Sequence, residues 1–211
     1  MKTKVKRTTQ DDAREREQIK LFNLKGLQGR SNKYIPDATI EVLDAEHFFE
    51  LKTSDIEKKQ VSTARNVTLP KLELYKKVWW IFTQYQKTNS GFEFTGEHYV
   101  AYGEDLKEWL EKQAHKIKRG TKTYGGLENW NECLKILQEN NLYDVGELNR
   151  LNNSFHKKGC GLNDPKISWK FVQQVCTKID SNRPAQHLRE IVLKKVLDKP
   201  KIVCYNVKHK Q

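Results

Sequence analysis

Apolar and polar positions alternate most clearly between residues 37 and 52. Residues 38–42 read apolar, polar, apolar, polar, apolar, and a second apolar run over residues 48–52 follows a short polar break. Alternation with period two is typical of strands that bury one face. The pattern predicts two strands joined by a tight turn at Asp44-Ala45.

The register of this hairpin decides which side chains lie together. A turn at Asp44-Ala45 places Asp37 opposite Lys52 and Thr39 opposite Glu50. Opposed residues share a face, so these four polar side chains project the same way. The other face is mostly apolar and is predicted to point into the core, because a slip of one residue would bury the charges. It carries Ile40, Val42, His47, Phe49 and Leu51.

Further elements predict an α/β fold with a mixed central sheet flanked by helices. The continuous apolar run at residues 78–82 is typical of a strand buried on both faces, and residues 98–102 predict another strand. Helical spacing predicts helices over residues 10–25, 105–118, 128–138, 145–155, 168–179 and 184–197. Glycines near residue 125 mark a boundary between a core, residues 1–125, and a mostly helical part, residues 126–211. A strand near residues 201–206 is predicted to return to the sheet edge.

Two carboxylates and a lysine at the ends of neighbouring strands have a specific chemical use. Asp37 and Glu50 offer hard oxygen ligands of the kind that Mg²⁺ prefers, and Lys52 adds a cation beside them. Such a group can hold a metal ion and a water molecule against a phosphodiester. The alternative is that these are solvated charges on an open hairpin face.

The residues Pro36-Asp37 and Glu50-Leu51-Lys52 resemble the PD-(D/E)xK motif of metal-dependent nucleases, which include most type II restriction endonucleases. The resemblance extends over about residues 10–102. It includes a charged helix before the motif, a basic turn-rich segment at residues 29–35, and a Ser-Thr-x-Arg-Asn stretch at residues 62–66. The helix after the motif carries Tyr75 but has Lys71 where exonuclease-type relatives carry Gln, which argues against a processive exonuclease.

The resemblance implies a restriction-endonuclease-like core and a role for each motif residue. Asp37 and Glu50 would bind Mg²⁺, for which Mn²⁺ would substitute, and the backbone carbonyl of Leu51 would add a third ligand. Lys52 would orient or help deprotonate the attacking water and offset charge in the transition state. Glu15 or Glu17, on the first helix, would supply an additional acid.

Composition favours a polyanionic partner. The chain has 39 Lys and Arg against 27 Asp and Glu, a net charge of +12. Basic proteins associate with nucleic acid through counterion release. The predicted contacts to double-stranded DNA flank the motif and are Arg30, Lys33, Lys58, Lys59, Arg65 and Asn66.

The cysteines and the termini add little further chemistry. The four cysteines are widely spaced, without a CxxC pair, which argues against a zinc site and for reduced thiols. No run reaches the roughly 18 apolar residues of a membrane span. The basic N-terminus lacks the apolar region of a signal peptide. We therefore expect a cytoplasmic protein of a prokaryote or phage, without membrane association.

These features together predict a Mg²⁺-dependent type II restriction endonuclease that cuts double-stranded DNA. A palindromic target would favour a homodimer, an expectation that comes from the family alone. Two alternatives stay open: a repair or junction-resolving nuclease of the same fold, and a basic DNA-binding protein without catalysis.

Overall fold

The computed structural model describes residues 10–27, 36–64, 67–124 and 161–198. Within these ranges the chain forms an α/β fold around a mixed six-stranded sheet. In spatial order its strands are β1 (Lys25–Gly26), β2 (Ala38–Val42), β3 (Ala45–Asp55), β5 (Trp79–Thr88), β6 (Gly91–Tyr102) and β8 (Thr177–Lys178). Strands β3 and β5 run parallel, and the other neighbours are antiparallel. A second sheet pairs β4 (Gln60–Ser62) with β7 (Lys166–Ser168).

Helices cover both faces of the large sheet, and each face has its own apolar cluster. The helices are α1 (Gln10–Leu21), α2 (Leu69–Tyr75), α3 (Lys107–Tyr124), α4 (Trp169–Val175) and α5 (Pro184–Asp198), with a 3₁₀ turn at Gly103–Leu106 before α3. Side chains of α2, α3 and α4 pack on one face. Side chains from α1 and α5 pack on the other.

The hairpin forms as predicted, but its turn lies one residue earlier. Leu43 and Asp44 form a two-residue turn with positive φ values of 53° and 57°, as a type I′ turn requires. Val42 therefore pairs with Ala45, and the register differs by two residues from the prediction. A shift of two preserves the face of every side chain, because the period of a strand is two. The predicted polar and apolar faces are therefore observed despite the wrong turn.

Strand β5 lies at the centre of the sheet and is buried on both faces, as its continuous apolar run predicts. Trp80 and Phe82 belong to the cluster beneath α2 and α3. Trp79 and Ile81 belong to the cluster beneath α1 and α5. All four are at most 2% exposed. Its parallel partner β3 is thus held by a strand that is buried on both faces.

Helix α2 is fixed at its C-terminal end by a close approach of two backbones. The Trp80 indole N–H donates to the Tyr75 carbonyl at 3.1 Å. A Cβ atom on Gly103 would come within 2.1 Å of the same carbonyl oxygen, so only glycine fits there. These contacts hold Tyr75 over the middle of the sheet.

Helix α1 ends at Leu21, short of the predicted residue 25. Asn23 follows in a left-handed conformation, with φ of 49°, and the chain then enters β1. Asparagine is among the residues that adopt this conformation most readily, which explains why the helix stops here. Phe22 and Leu24 are buried against the sheet and anchor this end of α1.

The described part of the C-terminal half joins the same sheets. Strand β8 pairs with β6, and β7 pairs with β4. The helix predicted over residues 168–179 is capped by the predicted Ser168, whose hydroxyl accepts from the Phe171 N–H at 3.2 Å. That helix was predicted too long: it ends at Val175, and Cys176 adopts an extended backbone before β8. The helix predicted over residues 184–197 is α5.

Several predicted elements lie outside the described residues. They are the helices over residues 128–138 and 145–155 and the strand near residues 201–206. The proposed boundary near residue 125 therefore stays a prediction. Among the residues described, none of the helices combines the length and apolar character needed to cross a membrane.

Candidate active site

The side chains of Asp37, Glu50 and Lys52 converge at the start of β2 and the middle of β3. The Lys52 ammonium lies 2.8 Å from Glu50 Oε1 and 3.7 Å from Asp37 Oδ2. The side chains of Glu50 and Lys52 are each 12% exposed and that of Asp37 is 24% exposed. The predicted convergence is therefore observed, and it occurs in a largely buried place where charges interact strongly.

Backbone contacts across the hairpin fix the first of these carboxylates. The Asp37 N–H donates to the Phe49 carbonyl at 2.9 Å. The Leu51 N–H donates in turn to Asp37 Oδ2 at 2.7 Å, a short charge-assisted hydrogen bond. Within one strand residue, N–H and C=O point to the same side, so the Leu51 carbonyl also points towards the strand edge where Asp37 lies.

Glu50 is oriented by a tyrosine from α2. The Tyr75 hydroxyl donates to Glu50 Oε1 at 3.2 Å, and the same oxygen accepts from Lys52. Tyr75 is 1% exposed, and its ring packs edge-on against Trp80 at 4.6 Å between centroids. Two donors from different elements therefore hold one oxygen of Glu50 in place.

Burial and like charge raise the pKa of Asp37 to about 7. Desolvation is the largest cause, followed by repulsion from Glu50, and Glu15 adds to it; Lys52 and the Leu51 N–H act in the opposite direction. Burial also disfavours the charge of Lys52, but Glu50 and Asp37 outweigh it and raise the pKa of Lys52 above its ordinary value. Lys52 is therefore an ammonium ion at neutral pH.

The oxygens at this place fit a hard divalent cation. Within the described ranges, no group of three or more His, Cys, Asp or Glu side chains is gathered as a metal site. The donor set is instead two carboxylates, Asp37 and Glu50, together with the Leu51 carbonyl. The hydrogen bonds described above fall on one oxygen of each carboxylate, and a carboxylate has two. A cation would also relieve the repulsion that raises the pKa of Asp37.

Asp37 and Lys52 open into a cleft of about 400 Å³. One wall is formed by α1, through Arg14, Glu15 and Gln18. Another is formed by Gln60, Ser62, Thr63, Ala64 and Asp164. Glu15 therefore lies beside the predicted metal ligands. Glu17 does not: it pairs with Lys20 at 2.7 Å on the outer side of α1. Of the two acids that the sequence offered, the structure brings only Glu15 to the cleft.

Only two of the six residues predicted to contact DNA, Lys58 and Lys59, lie within the described ranges. Lys58 is exposed and lines the cleft. Lys59 is exposed as well, and its carbonyl accepts from the Trp169 N–H at 3.0 Å, which fastens this segment to α4. Arg30, Lys33, Arg65 and Asn66 lie outside the described residues.

Sequence reasoning missed Tyr75 and Arg14 as members of this region. The only sequence signal for Tyr75 was its place on the helix that follows the motif. The Tyr75 hydroxyl meets Glu50 only because β3 and β5 pair in parallel, and the periodicity of the sequence does not reveal that pairing. Arg14 was hidden because α1 has charged residues all round, so the pattern does not show which side faces the sheet.

Compared with known proteins, the chain matches no protein-family model and no curated protein.

Proposed function

We propose that the protein is a Mg²⁺-dependent endonuclease that hydrolyses phosphodiester bonds of double-stranded DNA, of the type II restriction class. One observation supports this most strongly: Asp37, Glu50 and Lys52 converge, and Asp37 and Lys52 line a cleft. This is the constellation that the PD-(D/E)xK resemblance implies. The mixed sheet with a parallel β3–β5 pair and a preceding helix is compatible with a restriction-endonuclease-like core.

The chain's own residues would divide the work as follows. Asp37, Glu50 and the Leu51 carbonyl would hold the cation, which when bound would supply Lewis-acid activation of a water and of the scissile phosphate. Lys52 is charged at neutral pH, so in this arrangement it stabilises negative charge developing on the phosphate oxygens. Tyr75 keeps Glu50 in one orientation, and a fixed ligand geometry is what positions reacting groups.

The overall charge supports a nucleic-acid substrate. A net charge of +12 draws the chain towards a polyanion, although the site itself is acidic. Carboxylates aimed at a phosphate backbone repel it unless a cation lies between them. A basic protein with a buried acidic pair is therefore better suited to cutting a phosphodiester than to binding alone. A homodimer, with one subunit on each strand, is part of the proposal for a palindromic site.

Cleavage of supercoiled plasmid tests the proposal. If the protein is a restriction endonuclease, we expect discrete linear fragments with Mg²⁺ and intact plasmid with EDTA. Nicked circles or cleavage only of branched junctions would assign the protein to a repair or junction-resolving role. A gel shift with no cleavage in either Mg²⁺ or Mn²⁺ would show that the protein binds DNA without catalysis and would overturn the proposed nuclease activity.

A further inference from the structure

Arg14 is a buried cation in the wall of the cleft. It is 9% exposed and lines the same cleft as Asp37 and Lys52. Arg16, two residues further along α1, is exposed to solvent. Arginine is rarely buried to this degree, because removing its charge from water is costly unless the charge is used.

Two contacts fix the plane of the Arg14 guanidinium. Its Nε–H donates to the Thr53 hydroxyl at 3.1 Å. Its central carbon lies 4.4 Å from the centroid of the Tyr85 ring, a cation–π contact. Thr53 and Tyr85 belong to the paired parallel strands β3 and β5, so the platform beneath Arg14 is formed by the two central strands of the sheet.

Arg14 and Lys52 approach β3 from different sides. Thr53 follows Lys52 directly, and consecutive side chains of a strand point to opposite faces. Helix α1 places Arg14 on the face that Thr53 shares with Leu51, whereas Lys52 points with Glu50 to the other face. The cleft therefore has one fixed cation on each side of β3, the strand that carries Glu50.

We propose that Arg14 is a substrate-positioning residue: its guanidinium, held by Thr53 and Tyr85 in the cleft that Asp37 and Lys52 also line, binds a backbone phosphate that neighbours the scissile one. A guanidinium recognises phosphate through a planar pair of N–H donors, which a fixed plane prepares in advance. The inference rests on the proposed function for its substrate. The alternative is that Arg14 only fastens α1 to β3.

Binding measured without cleavage separates the two roles. A fluorescently labelled random-sequence DNA duplex is titrated with protein in EDTA at several NaCl concentrations, using wild type, Arg14→Gln and Arg16→Gln. Glutamine keeps a polar head for Thr53 and a flexible stem over Tyr85 but removes the charge. For Arg14→Gln we expect about tenfold weaker binding and a salt slope smaller by about 0.9, the loss of one phosphate contact. Arg16→Gln should match wild type.

Equal affinities and slopes for the two variants would overturn the inference. If Arg14→Gln lowers the melting temperature, Thr53→Val serves as a second variant, because it removes the anchor but keeps the charge. We expect Thr53→Val to weaken binding with an unchanged salt slope, and wild-type affinity would again contradict the proposal.

Plasmid cleavage by the same variants distinguishes this inference from the proposed function. Suppose that the wild-type protein binds DNA without cutting it, and that Arg14→Gln alone weakens binding. The endonuclease activity would then be refuted, and the contact between Arg14 and phosphate would stand. If instead wild type cuts DNA, and Arg14→Gln cuts and binds equally well, the contact would be refuted and the endonuclease activity would stand.

Discussion

The Leu51 N–H donates to Asp37 Oδ2 across the hairpin at 2.7 Å, although the two residues are 14 positions apart in the chain. This bond ties the carboxylate at the start of β2 to the strand that carries Glu50 and Lys52. It also places the Leu51 peptide beside the acid pair. The site is thus organised by backbone geometry as well as by side chains.

Replacing either acid should abolish cutting and leave DNA binding intact. Asp37→Asn and Glu50→Gln keep the shape of the side chain but remove an anionic metal ligand. We expect cleavage to fall by at least about a thousandfold, since both the water and the phosphate lose their activation. Single-turnover plasmid cleavage and a gel shift measure the two effects.

Glu46→Gln is the matched control for this pair of variants. Glu46 lies on the same strand as Glu50 but is exposed, and it is paired with Glu41 near the turn. It should cut like wild type. A wild-type cleavage rate in Asp37→Asn or Glu50→Gln would show that the replaced carboxylate is not a metal ligand required for cleavage.

Loss of the Lys52 charge should slow chemistry more than it weakens binding. Lys52 touches both acids and stays charged at neutral pH, so its effect falls mainly on the transition state. We expect Lys52→Gln to lower the single-turnover rate by about a hundredfold, a typical effect of removing one electrostatic group. The protein concentration at half-saturation should change little.

Lys76→Gln controls for the loss of any partly buried ion pair. Lys76, directly after α2, pairs with Glu73 of that helix at 2.6 Å, and its side chain is 34% exposed. Its cleavage rate should be normal. A Lys52→Gln protein that binds DNA poorly but cuts at full rate when saturated would show that Lys52 is a binding residue.

Tyr75→Phe should reduce activity without unfolding the protein. The change removes one donor to Glu50 and keeps the ring packed against Trp80. A hydrogen bond to a charged group contributes roughly 1.5–3 kcal/mol, so we expect about a tenfold lower cleavage rate.

Tyr99→Phe is the comparison for that variant, because the Tyr99 hydroxyl donates to Glu97 at 2.7 Å and its ring is also buried. Single-turnover rates should separate the two, with only Tyr75→Phe slowed. An equal rate in both would show that Tyr75 does not orient Glu50 in the reacting complex.

The stability of the metal-free protein should depend on Asp37 ionisation. The pKa of Asp37 is about 7 in the folded chain against an ordinary value of 3.8, so folding favours the protonated form. This contribution is complete below about pH 3.8 and is lost as the pH rises through about 7. Asp37→Asn cannot ionise and should escape the loss.

Thermal unfolding in EDTA measures this effect. The Tm of Asp37→Asn minus that of wild type should be larger at pH 8 than at pH 5. Adding Mg²⁺ at pH 8 should raise the Tm of wild type and leave Asp37→Asn nearly unchanged. If the difference in Tm between Asp37→Asn and wild type stays constant or shrinks as the pH rises, burial does not raise the pKa of Asp37 as described.

Local pattern was sufficient to predict the acid pair and the lysine on one face. The face on which a side chain lies depends only on whether the register is shifted by an even or an odd number of residues, so the exact register was not needed. The turn was placed one residue too late, yet Asp37, Glu50 and Lys52 still share a face because the shift was even. Leu43 adopts positive φ in the turn, which is uncommon for leucine, so composition favoured the wrong position.

Long-range pairing could not be predicted from the same pattern. The β4–β7 pair joins residues about a hundred positions apart, and β8 is only two residues long. Short strands carry too little periodicity to be told from the end of a helix, which is why the helix at residues 168–179 was predicted too long. The cleft wall at Asp164 depends on this pairing and was therefore not foreseen.

The most direct test of the central claim is to locate a bound cation. Crystals of the wild-type protein soaked in Mn²⁺ give an anomalous difference signal at each metal position. If the acid pair is a metal site, a peak lies within about 2–2.5 Å of oxygens from Asp37, Glu50 and the Leu51 carbonyl, and it disappears in Glu50→Gln. Full occupancy of Mn²⁺ elsewhere, with Lys52 still paired to an unliganded Glu50, would show that the acid pair does not bind the cation.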